Sequence, residues 1–347
     1  MRHEHWRDRP VLVTGATGFL GGWLVKELLA RDARVVALVR DGAPRSLFAL
    51  ERMADRVQTI QGSLADRGLL RRVMCEYDIA TVFHLAAQAL VGVSRTDPIG
   101  TLEANVAGTW NVLEAVRQSP VREVVVASSD KAYGSSSALP YLESHPMAGR
   151  YPYDVSKSCA DLISRMYAET YGTPVCVTRF ANLFGGGDLN YSRTVPGVIA
   201  ATLRGERFVI RSDGRFVRDY IYVRDAVNGY LRLAEALASD PSLRGEAFNF
   251  SLEVRLTVLD LVQQVLELMG RTDLCPIVQS IATDEIREQY MVASKARRLL
   301  GWAPRYTMQQ GLRETILWYT SALAATTTTS TPAATARAVP EPVQASI

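Results

Sequence analysis

Thr14-Gly15-Ala16-Thr17-Gly18-Phe19-Leu20-Gly21 is the stretch that decides the fold. It follows a short apolar run, Val11 to Thr14, and leads into Leu20 to Ala30, whose apolar residues recur at helical spacing. A strand, a glycine turn and a helix in that order allow a tight backbone turn and a close approach to a pyrophosphate, because no Cβ stands in the way. The helix start adds N–H donors and the positive end of a dipole. Gly15, Thr17, Gly18, Phe19, Leu20 and Gly21 are therefore the candidate dinucleotide-binding residues.

Outward from this turn, short apolar runs alternate with helical stretches. The runs are Arg34 to Val39, Val57 to Gln61, Thr81 to Leu85, Val121 to Ser128 and Val175 to Phe180; the main helical stretches are Thr101 to Gln118 and Asp154 to Tyr171. This rhythm predicts an α/β, Rossmann-like, doubly wound parallel sheet covered on both faces. Beyond Gly185 the rhythm loosens into shorter elements, with helices over Val258 to Met269 and Leu312 to Thr320. We divide the chain into a flexible N-terminus (1–9), an NAD(P)-binding domain (10–184) to which some later segments return, a smaller C-terminal lobe that binds substrate (185–323) and a disordered tail (324–347).

Of the 347 residues, 48% are hydrophobic, enough for a large core, and 39 basic against 36 acidic side chains leave a net charge of +3. That balance argues against nucleic-acid or membrane partners. The terminus carrying His3 and His5 is polar and reads as frayed, and no apolar run is long enough to span a bilayer, so the chain reads as cytoplasmic. Cys75, Cys159, Cys176 and Cys275 are far apart, so neither a metal site nor a disulfide framework is expected.

At the end of the second strand Val39 stands where an acid would bind the ribose of NAD, and Arg40 follows it. An arginine suits the 2′-phosphate of NADP, so this reading leans to NADP over NAD; Arg40 stacking on the adenine is the alternative. Tyr153 and Lys157 form YxxxK, which on a helix puts phenol and ammonium on one face. A nearby ammonium favours the phenolate and prepares Tyr153 to take a hydroxyl proton. Ser128 and Ser129 end an apolar strand, where open parallel sheets bind ligands, and Asn105 lies in a helical stretch after His84-Leu85-Ala86-Ala87.

Together TGATGFLGG, HLAA, Asn105, the strand-end serines, YxxxK, Arg179 to Gly185 and Arg218 to Asp225 resemble the extended short-chain dehydrogenase/reductases. The resemblance runs from about Val11 to Leu317. It implies a catalytic triad of Ser129, Tyr153 and Lys157, with Leu85, Ala86, Ala87 and Asn105 beside the cofactor. It also implies that Asn182 and Arg218 contact a nucleotide diphosphate sugar, Arg218 at phosphate, and that Phe208 lies in the stretch lining the base. A homodimer built on the two long helices is implied as well.

Asp130 and Lys131 follow Ser129 directly. In this family the epimerases carry small, inert residues there, and the 4,6-dehydratases an acid/base pair. Asp-Lys resembles CDP-glucose 4,6-dehydratases and inverting UDP-N-acetylglucosamine dehydratases; the glycine run 185–187 and the Tyr151 to Lys157 segment look closest to the CDP-glucose group. The expected reaction makes an NDP-4-keto-6-deoxyhexose. Oxidation at C4 acidifies the C5 proton, Lys131 takes it, Asp130 serves the leaving C6 oxygen, and hydride returns to C6. A 4-epimerase resembling UDP-glucose 4-epimerases, and a non-catalytic NAD(P)-binding scaffold, are the alternatives.

Overall fold

The computed structural model describes residues 2–281 and 286–328. Strands β1 (Pro10–Thr14), β2 (Arg34–Val39), β3 (Gln58–Gln61), β4 (Thr81–His84), β5 (Glu123–Ala127), β6 (Val175–Phe180) and β7 (Ala247–Phe250) form one sheet in the order β7-β6-β5-β4-β1-β2-β3. All six pairings are parallel. Val11 of β1 is in register with Val35 on one side and Thr81 on the other. The order reverses between β1 and β4, which places a crevice beyond the carboxyl ends of these strands.

These runs are apolar throughout because both faces of the sheet are covered. Val11 and Val13 point into one layer with Leu24 and Leu28 of helix α1 (Phe19–Leu29). Leu12 points into the other, with Val112 and Val116 of α2 (Gly108–Arg117). The same alternation sends Val125 to the first layer and Val124 and Val126 to the second. Helix α3 (Pro152–Tyr171) flanks α2.

A third apolar cluster forms the smaller lobe. It joins Val195, Val198 and Ile199 of α4 (Thr194–Leu203), Tyr222 and Val223 at the start of α5 (Val223–Ser239), Leu261 and Val265 of α6 (Val258–Leu268) and Leu312 of α7 (Met308–Thr328). The rest of α5 returns to the sheet, where Val227, Tyr230 and Leu231 pack in the first layer, and β7 adds its far edge.

Three expectations are corrected. The N-terminus is not frayed: Arg2–Trp6 is a short helix, Trp6 is fully buried, and its indole N–H donates to Glu235 at 2.7 Å. One large aromatic ring tilted over Phe83 buries enough apolar area to outweigh the entropy of a free end. The helix expected over Thr101 to Gln118 is broken by a π-helical turn at Glu103–Ala107. At the other end, α7 continues to Thr328, past the expected start of the tail; residues 329–347 lie outside the described residues.

Candidate active site

The glycine turn leaves no room for side chains. Gly15 adopts φ +76°, and a Cβ there would lie 2.7 Å from the Ala86 nitrogen; one on Gly21 would lie 1.9 Å from the Gly15 oxygen. Gly18 caps α1 without a side-chain hydrogen bond, and the first turn of α1 holds no acid. The first N–H groups of that helix thus have no internal anion, and the turn fits the diphosphate of a nicotinamide dinucleotide. Thr17 lies half-buried in the turn. Phe19 and Leu20 direct their side chains onto the core of the smaller lobe, so they serve the turn through their backbone.

The loop after β4 is tied to β1. Leu85 N–H donates to the Thr14 carbonyl at 3.2 Å and Ala86 N–H to the Thr14 hydroxyl at 3.3 Å, with Ala87 next in the loop. His84 is buried between the hydroxyls of Thr14 (2.8 Å) and Thr109 (3.1 Å); burial, then the charge of Lys157, lowers its pKa to about 3. Asn105 is fully engaged. Its Oδ1 accepts from Gln88 N–H at 2.7 Å, and its Nδ2 donates to the Gln88 carbonyl (3.1 Å) and the Ser156 hydroxyl (2.8 Å). The π turn delivers this side chain, which clamps the loop after β4 to α3.

At the end of β5, Ser129 caps a short 3₁₀ turn, Asp130–Tyr133. Its hydroxyl donates to Asp130 Oδ1 at 3.0 Å and accepts from Lys131 N–H at 3.2 Å. Asp130 is buried, and burial raises its pKa against the lowering effects of Lys131, Ser129 and Arg218. Lys131 Nζ reaches Gln289 Oε1 at 3.4 Å.

Tyr153 and Lys157 rise from the first two turns of α3 onto the same site. Lys157 donates to the Ala127 carbonyl at 2.8 Å, with Nζ 6.0 Å from the centre of the Tyr153 ring. Burial lowers the Lys157 pKa to about 8. The expected lowering of Tyr153 does not appear: burial dominates and raises the phenol to about 12, against the pull of Arg193 and of the Ser129 hydroxyl. The ammonium spends its nearest contact on a backbone carbonyl.

The smaller lobe closes the other wall. Arg218, buried, donates from Nη1 to the carbonyls of Val217 (2.9 Å) and Arg287 (3.2 Å), and its charge reaches Asp130. Asn182 Nδ2 donates to the Asp219 carbonyl at 3.1 Å. Phe208 is half-buried, and a Cβ on Gly197 would meet its ring at 2.8 Å, so the ring packs on α4. Arg40 is 71% exposed and holds Asp41 at 2.6 Å.

Four residues enter the site without having been singled out in the sequence. Arg193 pairs with Asp188 at 3.0 Å and acts on Tyr153. Asp154 is buried, and burial brings its pKa to about 6 against the pull of Lys131. Asp219 and Gln289 are both fully buried behind Asp130 and Lys131. Asp154 and Asp219 each sit inside a quoted motif, and an acid there was a visible signal; Gln289 lies in the sequence stretch 285–290, which resembles the family's closing segment near the nucleotide, and Arg193 carried none.

The family model described as GDP-mannose 4,6 dehydratase matches residues 12–315. A CDP-glucose 4,6-dehydratase of Salmonella typhimurium is 31% identical over 329 residues, 90% of this chain and 91% of that protein. A dTDP-glucose 4,6-dehydratase of Xanthomonas campestris is 32% identical over 330 residues, covering 89% and 92%. Among solved structures, a dTDP-glucose 4,6-dehydratase from Streptomyces venezuelae with NAD bound superposes with a TM-score of 0.82 at 27% identity, covering 91% of this chain and 98% of that one. A UDP-glucose 4-epimerase from Thermotoga maritima, with UDP-glucose, also gives 0.82, at 26% identity and 90% and 99% coverage.

Fold and site define an extended short-chain dehydrogenase/reductase that takes a nicotinamide dinucleotide. Within that class the chain belongs to the GDP-mannose 4,6-dehydratase family.

Proposed function

We propose that this protein is an NDP-hexose 4,6-dehydratase, with a CDP-glucose-like substrate. The observation that carries the reading is the Asp130–Lys131 pair, set by the Ser129-capped turn beside Tyr153 and Lys157. An epimerase needs no second acid and base, and the shared fold with an epimerase does not supply a use for them.

Tyr153, steadied by Ser129, takes the O4 proton as its own phenol proton passes on, and Lys157, lowered to about 8, is the amine that receives it. A nicotinamide dinucleotide held on the Gly15–Gly21 turn would supply the hydride exchange, oxidising C4 and reducing C6. Lys131 removes the C5 proton, which the C4 ketone acidifies, and Asp130 protonates the C6 oxygen as the C6–O bond breaks and water leaves. Lys131 then returns its proton to C5. Arg218, from the second wall, is our candidate for the diphosphate, with Asn182 and Phe208 further along the substrate.

Arg40 bears on the finer choice of cofactor. Asp41, paired with it at 2.6 Å, puts a carboxylate at that edge, which suits ribose hydroxyls and disfavours a 2′-phosphate. We therefore read NAD as the partner, against the NADP suggested by Arg40 alone. Trp110 on α2 and Leu162 and Met166 on α3 are 44%, 51% and 42% exposed, and we assign this face to a homodimer. Sedimentation of the wild type and of Leu162→Glu tests it: a monomeric wild type rules it out.

The function is tested by incubating the protein and cofactor with CDP-glucose, dTDP-glucose, GDP-mannose, UDP-glucose and UDP-N-acetylglucosamine. Loss of water from one of them by mass, with a product absorbing in alkali, is expected. An isomer of unchanged mass identifies an epimerase instead.

A further inference from the structure

Three buried polar atoms behind the acid–base turn have no hydrogen-bond partner: Asp130 Oδ2, Asp219 Oδ1 and Gln289 Nε2. Their side chains are closed to solvent, at 3%, 0% and 0% exposure. They sit on adjoining elements. Asp219 N–H donates to the Gln289 carbonyl at 3.1 Å, and Gln289 Oε1 receives Lys131 at 3.4 Å. In each carboxyl one oxygen is tied: Asp130 Oδ1 by Ser129, and Asp219 Oδ2 by the Ser251 hydroxyl and Met291 N–H.

Leaving three such groups unpaired in a dry interior is unfavourable, because each has given up its hydrogen bonds to water. Once Asp130 has lost its proton, a single water matches them: it accepts from protonated Asp219 Oδ1 and from Gln289 Nε2 and donates to Asp130 Oδ2. We propose that one ordered water, held by Gln289 Nε2, links Asp130 to Asp219, and that Asp219 is a positioning residue which resupplies the proton Asp130 gives to the leaving hydroxyl.

This rests on the dehydratase reading. As the C6–O bond breaks, the Asp130 proton leaves with the departing water. A proton then passes from Asp219 through the bridging water to Asp130, and the proton given up at O4 balances it before the next turnover; no electrons are exchanged. Burial favours the protonated form of both acids and raises Asp219 to about 7. Lys131 and Arg218 favour ionised Asp130, while the two carboxyls oppose each other's charge; Asp154, Tyr141 and Tyr153 are the other titratable groups facing Asp130.

The test compares wild type, Asp219→Asn and Gln289→Met. The asparagine keeps an acceptor for Ser251 and Met291 but cannot carry the proton. Asp219→Asn is expected to reduce bound cofactor with substrate at the wild-type rate and to release product about 100-fold more slowly. Gln289→Met should show the same split. In substrate-free protein carrying Asp154→Asn, which removes the other carboxyl raised to about 6, the infrared band of a protonated carboxyl that titrates near neutral pH should vanish when Asp219→Asn is added. Persistence of that band, or wild-type product release and pH profile in a folded Asp219→Asn, overturns the proposal. Should wild type dehydrate no sugar nucleotide, the functional reading fails, and the infrared titration alone decides whether the carboxyls share a proton.

Discussion

Arg179 grips Asp161 through two parallel hydrogen bonds, Nε to Oδ2 at 2.7 Å and Nη2 to Oδ1 at 2.8 Å, with both side chains fully buried. Asp161 follows Tyr153 and Lys157 at the next four-residue step of α3. Arg179 also donates to the Tyr133 hydroxyl at 2.8 Å, at the far end of the turn bearing Asp130 and Lys131. The pair therefore ties helix, strand β6 and acid–base turn together. Asp161→Ala strands a buried guanidinium, and urea unfolding is expected to show a loss of about 3–5 kcal/mol.

Lys131→Ala should separate the two halves of the reaction. With a turned-over sugar nucleotide, the variant is expected to reduce its bound cofactor, seen by absorbance, and release no 4-keto-6-deoxy product. Tyr153→Phe should instead slow cofactor reduction itself by about 10²–10⁴-fold. Normal dehydration by Lys131→Ala removes that residue from the mechanism.

Asp154 gives the protein a pH-dependent stability. Its folded pKa, about 6, lies above its unfolded value of 3.8 because burial disfavours the charge. The folded state then binds more protons across that window, so the stabilising contribution is complete below pH 3.8 and is lost as pH rises through about 6. Thermal unfolding of Asp154→Asn against wild type over this range should show a flatter decline in the variant. Parallel curves would mean that Asp154 titrates alike in both states.

Gly21→Ala places a methyl carbon against the Gly15 carbonyl, where the gap is 1.9 Å. The turn must open to admit it. Dinucleotide affinity, followed by fluorescence titration with the reduced cofactor, is expected to weaken at least about tenfold, or about 1.4 kcal/mol.

Sequence periodicity exposed the strands that pair two-sidedly, because their burial is written in uninterrupted valine and leucine. The glycine turn, Ser129, Tyr153 and Lys157 were legible for a related reason: each depends on local spacing. What was hidden depends on long-range contact. Trp6 owes its burial to Phe83 and Glu235, far along the chain. The π turn exists because Asn105 must reach both Gln88 and Ser156. The engagement of Arg218 with the Arg287 carbonyl depends on pairing between Val217–Arg218 and Glu288–Gln289, which no periodicity announces.

The edge position of β7 governs how the chain is assembled during synthesis. β6 is complete by Phe180, yet the strand that covers its outer side begins at Ala247, after α4 and the whole of α5 have been made. A nascent chain emerging at about 5–20 residues per second leaves that backbone edge uncovered for several seconds. During this interval it is a template for pairing with a neighbouring chain on the same message. Truncations ending before residue 247 should therefore precipitate, while the whole protein seals its own seam.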